Sequence, residues 1–306
     1  MKKYPDRPID VCILTDSKCV SPPRDDPYFI NVLKEDGMVR EQLEQRGLRV
    51  ERRAWDDPDY DWTQTAFIIY RSTWDYFERY PEFSLWLERV KGLTSMINPY
   101  ETIKWNLDKH YLLNLAEAGI STPPTLFLEK GDRESLVEKV AQTDWNEIIL
   151  KPVVSGAARH TYRFLPEDAG QHEEQYQELI KEESMMLQEF QEQVPLKGEV
   201  AFMVFDGAFT HAILKKAKEG DFRVQDDFGG SVSHYDPTAE EIRFAEEVVE
   251  SSGHNPLYAR VDIIWDNKGN LSVSELELIE PELWFRFHPP AAAKLAEAII
   301  KRYFKD

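Results

Sequence analysis

Three carboxylates stand on two strand-like segments near the end of the sequence. Arg260 and Asp262 lie on the first segment and Glu275 and Glu277 on the second, with a turn-forming stretch between them. Alternate side chains of a strand share a face, so each of these two pairs lies on one face of its strand. A five-residue hairpin loop would place Asp262 and Ser274 roughly opposite each other. We therefore expect the three carboxylates to converge within a few ångströms.

This carboxylate hairpin needs a positive charge, because three neighbouring carboxylates repel one another. Mg²⁺ is the natural partner, since it prefers oxygen ligands and commonly shares them with substrate phosphates. An ordinary exposed hairpin with acidic residues on its solvated face remains open as the alternative. Paired carboxylates also serve glycosidases, but residues at i and i+2 of one strand do not straddle a sugar ring well.

Two lysines and a small-residue loop are candidates for binding phosphate. Lys151 ends a predicted buried strand, and Ser155-Gly-Ala-Ala158 follows it, with basic residues beyond. Small residues let backbone N–H groups face a phosphate, and basic residues add charge. The loop matches neither the P-loop nor the dinucleotide-binding glycine pattern. A flexible surface loop therefore remains open, as does a plain surface role for Lys109.

The elements that carry these residues begin as an alternation of short strands and helices. Such alternation is typical of an α/β unit with a largely parallel sheet. The predicted strands cover residues 10–16, 48–52 and 66–70, and the predicted helices cover residues 28–46 and 80–91. The dipeptide Asn98-Pro99 interrupts the pattern, and we place a boundary near residue 100.

The remaining two thirds of the chain have mixed strand and helix patterns. Apolar residues at helical spacing predict one helix over 103–118 that carries Lys109. Asp206-Gly207 predicts a tight hairpin, and Thr238-Ala-Glu-Glu241 predicts a helix N-terminus. The further predicted strands are 147–152, 185–190, 258–265 and 271–277, and the further predicted helices are 165–183 and 290–303.

Composition excludes several functional classes. The chain has a formal net charge of −19, which argues against nucleic acid and against an anionic membrane surface. No apolar stretch approaches the length of a membrane span, and the charged stretch 1–8 does not resemble a signal peptide. The two cysteines cannot form a disulfide framework or a cysteine zinc site. We expect a cytoplasmic protein.

Taken in order, the motifs resemble the ATP-grasp superfamily of glutathione synthetase and D-alanine–D-alanine ligase. The resemblance covers residues 98–306, and its most specific motifs are Arg260-Val-Asp262 and Ser274-Glu-Leu-Glu277. The ending 275–281 and the loop 151–158 look closest to a subgroup that contains the cyclo-ligase of D-cycloserine biosynthesis. The resemblance implies an N-terminal doubly wound parallel-sheet domain (1–100), a central lid subdomain (101–184) and a C-terminal antiparallel-sheet subdomain with the metal site (185–306).

The resemblance also implies residue roles. Two Mg²⁺ ions are expected, with Mn²⁺ as a substitute, and the implied metal ligands are Asp262, Glu275 and Glu277. Many family members have Asn where this chain has Glu277, and the glutamate keeps oxygen ligation but adds charge. The implied ATP-binding residues are Lys109, Lys151, Ser155, Gly156, Gln188, Glu189, Phe190 and Glu199. The implied catalytic arginines are Arg260 and Arg223.

The N-terminal hundred residues are expected to set substrate specificity. The segment 70–76 follows a buried strand, and ligands of open α/β sheets bind beyond the carboxyl ends of strands. Arg71 is a candidate for a carboxylate and Asp75 for an amine, with Ser72 beside them and Asp16 as a second candidate. A packed loop anchored by Trp74 remains open.

The predicted activity is ATP-dependent ligation. The resemblance implies that a small amino-acid-like carboxylate becomes an acyl-phosphate, which an amine attacks in the same or another molecule, releasing ADP and phosphate. Two alternatives remain: a ligase that adds amino acids to a protein or peptide, and a non-catalytic Mg–ATP-binding regulatory or scaffold protein. A homodimer is expected.

Overall fold

The computed structural model of the protein describes residues 4, 6–23, 25–218, 220 and 229–305. Within these ranges the strands form three sheets. The N-terminal sheet is entirely parallel, and the other two are antiparallel. No helix in the described ranges is long and apolar enough to cross a bilayer. The predicted combination of a parallel N-terminal unit with antiparallel sheets is confirmed.

The N-terminal sheet is covered by helices on both faces. Its elements are β1 (Ile9–Thr15), α1 (Pro27–Gln45), β2 (Val50–Ala54), β3 (Thr65–Ser72), α2 (Tyr80–Val90) and β4 (Ser95–Ile97). The strand order is β2-β1-β3-β4. Every residue of β3 is buried, as expected for a parallel strand that is covered on both faces. The carboxyl ends of β1 and β3 therefore form one rigid edge.

The predicted helix 103–118 is instead two helices, α3 (Tyr100–Asn106) and α4 (Tyr111–Glu117). The Asp108 carboxylate accepts a hydrogen bond from the backbone N–H of His110 at 2.9 Å, which replaces helical bonding there. The backbone N–H of Lys109 donates to the carbonyl of Val153 at 3.0 Å. The prediction that Lys109 lies on a helix is therefore wrong, since it lies in a turn tied to the loop after Lys151.

The middle sheet follows. Its elements are β5 (Thr125–Leu128), α5 (Leu136–Val140), β6 (Ile148–Pro152), β7 (Tyr162–Phe164), α6 (Glu173–Glu182) and β8 (Met185–Glu189), in the strand order β5-β8-β6-β7. A 3₁₀ turn over Pro166–His172 precedes α6, where one helix over 165–183 was predicted. Strand β8 pairs with β5 and β6, so it belongs with this sheet although it lies past the predicted boundary at 184. The three-part division itself remains a prediction.

The C-terminal sheet has five strands. Its elements are α7 (Gln193–Lys197), β9 (Glu199–Phe205), β10 (Ala208–Lys216), β11 (Ser231–Tyr235), α8 (Ala239–Ser251), β12 (Tyr258–Trp265), β13 (Leu271–Glu277) and α9 (Pro290–Ile299). Their order is β11-β10-β9-β12-β13. The predicted hairpin at Asp206-Gly207 is confirmed, and both residues have the positive φ that such a turn requires. The predicted capping box of Thr238 and Glu241 is also confirmed.

Helix α9 packs against both the N-terminal sheet and the C-terminal sheet. Its buried face shares one core with β1 and with the C-terminal sheet, as shown by Val11, Met203 and Leu295. The helix is shorter than the predicted 290–303, and a π-helical turn over Ile300–Phe304 follows it. This shared core holds the edge of the N-terminal sheet next to β12.

A β-bulge corrects the predicted register of the carboxylate hairpin. Ile263 lies opposite Val273, but Asp262 lies opposite Glu275, so Ser274 is an extra residue in β13. The expectation that residues 262 and 274 lie opposite each other is therefore wrong by one position. A bulge re-aims the side chains beyond it. Here it turns Glu275 onto the same face as Asp262, which a regular hairpin would not do.

Candidate active site

A cavity of about 280 Å³ lies between the middle sheet and the C-terminal sheet. Strands β6 and β8 form one wall, and β12 and β13 form the other. The turn that carries Lys109 and the loop after β6 close its sides. The predicted ATP-binding residues, the predicted metal ligands and the predicted catalytic Arg260 all line this cavity: Lys109, Lys151, Ser155, Gly156, Gln188, Glu189, Phe190, Glu199, Arg260, Asp262, Glu275 and Glu277.

The three carboxylates converge as predicted. One oxygen from each of Asp262, Glu275 and Glu277 lies within 4.8 Å of the others. Opposite ligand oxygens around Mg²⁺ are about 4.2 Å apart, because each lies about 2.1 Å from the ion. The spacing therefore fits a cation of this size after a small adjustment of rotamers. The residues are also suitable, since all three offer hard oxygen ligands.

Basic side chains surround the carboxylates. Arg260 donates to Asp262 at 2.8 Å and pairs with Glu277, while Lys109 lies 3.0 Å from Glu275. Burial alone would raise the pKa of Asp262, but the positive charges of Arg260 and of the buried Lys215 lower it. Burial, reinforced by the charges of Glu275 and Asp262, raises the pKa of Glu277 to about 7 in spite of Arg260. A cation bound at the cluster would favour the ionised form of Glu277.

The two predicted phosphate lysines point into the same cavity. The Lys109 ammonium donates to the carbonyl of Ser155 at 2.8 Å. The Lys151 ammonium donates to Gln188 Oε1 at 3.1 Å. Burial, with the nearby charge of Lys109, lowers the pKa of Lys151 to about 8. Among the described residues, Lys109 contacts Ser155 and Glu275 and Lys151 contacts Gln188, so an anion can replace these partners.

Lys215 lies at the centre of the site, although no sequence motif pointed to it. Its ammonium contacts Glu199 at 2.6 Å and Asp262 at 3.1 Å, and its residue is only 5% exposed. A regular hairpin at Asp206-Gly207 would pair Glu199 with Leu214. An irregularity after Phe209 shifts the pairing to Lys215, so the hairpin signal alone could not identify it. Glu199 also accepts a hydrogen bond from Ser274 Oγ at 2.7 Å.

A second cavity of about 190 Å³ adjoins the first. Helix α1 and the end of β3 form one wall, and the segment 280–286 forms the other. Six residues line both cavities: Gly156, Ala157, Lys215, Arg260, Glu277 and Glu280. The two cavities therefore meet at the carboxylates and at Arg260.

Two of the four predicted substrate residues line this second cavity. Arg71 and Ser72 do so, and the Ser72 hydroxyl donates to Asp36 at 3.0 Å. The structure places Asp75 and Asp16 elsewhere, because neither is among the described residues that line the two cavities. Asp75 accepts hydrogen bonds from Trp55 and Arg79, and Asp16 caps a 3₁₀ turn by accepting from Cys19 N–H. Arg223 lies outside the described residues.

The RimK-like ATP-grasp domain model matches residues 108–280, more than half of the chain. This chain belongs to the RimK-like ATP-grasp family. Its residues 11–98 also match a model of the N-terminal domain of D-cycloserine synthetase DcsG. The predicted ATP-grasp resemblance and its subgroup are both confirmed.

Relatives of this ATP-grasp chain include the cycloserine biosynthesis protein DcsG of Streptomyces lavendulae. The two are 30% identical over 273 residues, which cover 84% of this chain and 89% of that protein. The crystal structure of D-cycloserine synthetase DcsG matches with a TM-score of 0.84 at 26% identity, covering 95% of this chain and 99% of that one. D-alanine–D-alanine ligase from Bacillus anthracis shares the fold, with a TM-score of 0.67 at 14% identity over 96% of each chain.

Family membership confirms the general activity. The chain is an ATP-dependent carboxylate–amine ligase, as predicted. ATP-grasp ligases use ATP and Mg²⁺, and a structure of the ligase PsnB was solved with Mg and ADP. The roles of individual residues in this ligase remain predictions, and the structure supports them by the places it gives to the side chains.

Glu35 of helix α1 is a second residue that sequence analysis missed. Its two carboxylate oxygens accept hydrogen bonds from the backbone N–H groups of Phe285 and Arg286 at 2.9 and 2.8 Å. Two further side chains of the N-terminal unit hold the same segment: Trp74 donates to the carbonyl of Glu280 and Arg71 to that of Pro281. The segment 280–286 is therefore fixed to the N-terminal unit across the second cavity.

Replacing Glu35 by Ala is expected to lower the free energy of unfolding by about 2–4 kcal/mol, because a buried N–H group at Phe285 and a partly buried one at Arg286 lose their acceptor. The wall of the second cavity will then move, so the KM for the carboxylate substrate is expected to rise about tenfold. The KM for ATP is expected to stay unchanged. Urea denaturation and steady-state kinetics measure these effects.

Glu44→Ala is the matched control, since Glu44 lies on the same helix in an exposed ion pair with Arg40. Surface pairs of this kind contribute less than about 1 kcal/mol. An equal rise of both KM values in Glu35→Ala would contradict a role confined to the second cavity.

Proposed function

We propose that this ligase phosphorylates the carboxylate of one small amino-acid-like molecule and closes that molecule into a ring. The observation that carries this proposal is the junction of the two cavities at Arg260, Glu277 and Lys215. A nucleotide in the larger cavity and a substrate in the smaller one would meet there. The reacting phosphate and carboxylate would then lie beside the basic side chains and the metal ligands.

The larger cavity suits ATP in one orientation. Gln188, Glu189 and Phe190 at the end of β8 would face the adenine, and Glu199 would face the ribose. Lys109 and Lys151 then lie where the phosphates extend toward the carboxylate cluster. The loop with Ser155 and Gly156 covers the phosphates, with the carbonyl of Ser155 held by Lys109.

We assign the metal to Asp262, Glu275 and Glu277, with two Mg²⁺ ions expected and Mn²⁺ able to replace them. The bound ions supply positive charge to the phosphate oxygens during transfer. The remaining charge comes from the chain itself. Lys109, Lys151 and Lys215 offset the repulsion between the carboxylate and the phosphate, and Arg260 stabilises the charge that develops on the acyl group.

The chemistry has two steps. A carboxylate oxygen of the substrate attacks the γ-phosphorus, the bond to the bridging oxygen breaks, and ADP leaves. The amine nitrogen then attacks the acyl carbon, the bond from that carbon to the phosphate oxygen breaks, and phosphate leaves as the nitrogen loses a proton. Water must be excluded between these steps, because acyl-phosphates hydrolyse. The loop 153–163 over the junction supports this exclusion.

The second cavity favours a small substrate. Its volume of about 190 Å³ is enough for an amino acid. Acidic residues Glu35, Asp36 and Glu282 and basic residues Arg71 and Arg286 line it, which suits a molecule with both charges. These observations favour a free amino-acid-like substrate over the addition of residues to a peptide.

The relatives suggest which molecule to test first. D-Cycloserine contains a five-membered ring in which the acyl carbon is bonded to an aminooxy nitrogen. Ligation chemistry forms that bond from O-amino-D-serine, whose carboxylate and aminooxy nitrogen belong to one molecule. We propose O-amino-D-serine, or a β-substituted serine like it, as the substrate class.

The experiment measures ADP and phosphate release with Mg–ATP and a panel of D- and L-amino acids and β-substituted serines. Lys151→Ala and Glu275→Ala are the controls. Release that is stimulated by O-amino-D-serine and lost in both variants supports the proposal. Stimulation only when two different amino acids are present would replace ring closure by intermolecular ligation. Tight Mg–ATP binding without any stimulated release would favour a regulatory protein.

A further inference from the structure

Gly156 packs directly against the ring of Phe77. A Cβ atom placed at Gly156 would lie 2.5 Å from Cε1 and 2.8 Å from Cδ1 of Phe77. Such distances are far inside van der Waals contact, so any larger residue would displace either the loop or the ring. Glycine is therefore required at this position because of the space that Phe77 occupies.

Phe77 belongs to the N-terminal unit and is fixed there. Its residue is 8% exposed, and its ring contacts that of Tyr76 at a centroid distance of 5.6 Å. It lies in one core with Trp86 of α2. Phe77 and Gly156 both line the second cavity, and Gly156 also lines the nucleotide cavity. The contact therefore joins the substrate side of the site to the loop that covers the phosphates.

The loop itself is strained. Ala157, Ala158 and His160 have φ values of 48°, 54° and 48°, in the left-handed region that disfavours residues with a Cβ. Such conformations persist only where surrounding contacts hold them. The contacts here include the Lys109 bond to Ser155, the Arg159 pair with Glu183 and the packing of Gly156 on Phe77. Loss of one holding contact should release the loop.

We infer that Phe77 holds the loop 153–163 closed from the substrate side, which makes it a positioning residue for the reaction. This inference rests on the proposed function, in which the loop shields an acyl-phosphate. When the contact is loosened, water reaches the acyl carbon, the bond from that carbon to the phosphate oxygen breaks, and the free carboxylate and phosphate are released. ATP is then consumed without product.

A first test measures the opening of the loop in the absence of the amino-acid substrate. Trypsin cleaves after arginine, and Arg159 lies in the loop before β7. With Mg²⁺ and a non-hydrolysable ATP analogue, we expect Gly156→Ala to be cleaved there about tenfold faster than the unaltered protein. The smaller side chain of Phe77→Leu makes room for the new methyl group. In a Phe77→Leu background, Gly156→Ala should therefore change the rate by less than about twofold.

The control is Gly170→Ala, because a Cβ at Gly170 meets nothing within 4 Å. Its cleavage rate is expected to match that of the unaltered protein. Thermal unfolding of each variant shows whether it is folded before cleavage is compared. Independent, multiplying effects of Phe77→Leu and Gly156→Ala would overturn the inference, as would an unchanged cleavage rate in Gly156→Ala.

A second readout is the ratio of phosphate released to product formed with O-amino-D-serine. We expect this ratio to rise at least threefold in Phe77→Leu and in Gly156→Ala. A purely structural effect would lower the rate and leave the ratio at one, which would overturn the inference. If the unaltered protein releases no stimulated phosphate, the proposed substrate fails, and the trypsin comparison alone decides the role of Phe77.

Discussion

Replacing Asp262 by Asn is expected to reduce kcat/KM by about 10²–10³-fold, which is the typical cost of removing one charge-stabilising group from a transition state. Asp262 is 1% exposed and lies at the centre of the cluster, in contact with Arg260 and Lys215. Asn keeps one oxygen ligand but removes the charge that holds a divalent cation. The two basic side chains would then face an uncharged group and repel the ion.

Two measurements check this expectation. Steady-state phosphate release gives kcat/KM, and the rise in Tm on addition of Mg²⁺ reports binding of the ion to the folded chain. We expect the Mg²⁺-dependent rise to disappear in Asp262→Asn. Glu247→Gln, on the exposed face of α8, is the matched control and should leave both quantities unchanged. Full activity of Asp262→Asn at ordinary Mg²⁺ would contradict the metal assignment.

Replacing Lys151 by Met is expected to weaken ATP binding and turnover by about 10²–10³-fold, as for Asp262→Asn, because a buried ammonium that faces the phosphates is lost. The pH profile makes this prediction specific. Burial lowers the pKa of Lys151 to about 8. In the protein without bound nucleotide, the side chain of Lys151 therefore loses its positive charge as the pH rises from about 7 to about 9. Phosphate binds the charged form, so ATP affinity is expected to fall about tenfold over this range.

An ordinary lysine would stay protonated throughout that range, because its pKa is about 10.4. Isothermal titration of a non-hydrolysable ATP analogue at several pH values measures the effect. Lys151→Met should bind weakly, with an affinity that is nearly independent of pH between 7 and 9. Lys181→Met, on the exposed end of α6, should reproduce the unaltered profile. A pH-independent affinity in the unaltered protein would contradict the assignment.

Much of the nucleotide site follows from local patterns. The strand segments around Lys151, Gln188 and Asp262 were predicted within two residues, because runs of buried apolar residues mark strands independently of their partners. The side chains at the ends of these strands were therefore placed on the right elements. Their order along the chain was enough for the family resemblance.

Three features of the site escaped local patterns. The turn at Lys109 interrupts a segment whose apolar spacing is continuous, since Asp108 competes for the backbone and Val153 accepts the Lys109 N–H. Lys215 reaches the metal ligands only because of an irregularity in its hairpin. Glu35 looks like any acidic residue of an amphipathic helix, and only the distant segment 280–286 gives it a role.

The residues predicted for the second cavity also show what local sequence patterns can and cannot predict. Arg71 and Ser72 line the second cavity because they end a buried strand of a parallel sheet, and their substrate role stays a prediction. Asp75 was assigned to the substrate on its residue type, yet it faces Trp55 and Arg79 inside the N-terminal unit. The direction of a loop side chain depends on the neighbours that satisfy it, and those neighbours are remote in sequence.

By itself, the amino-acid sequence determined the class of fold, the ATP-grasp family and the presence of three carboxylates that suit a cation. These depend on local hydrophobic periodicity and on motif order. The tertiary structure decided the register by which the carboxylates share a face, because one extra residue in β13, Ser274, places Glu275 opposite Asp262. It also decided that two cavities meet at Arg260. Packing of α9 and of the segment 280–286 between elements remote in sequence brings the walls of the two cavities together there.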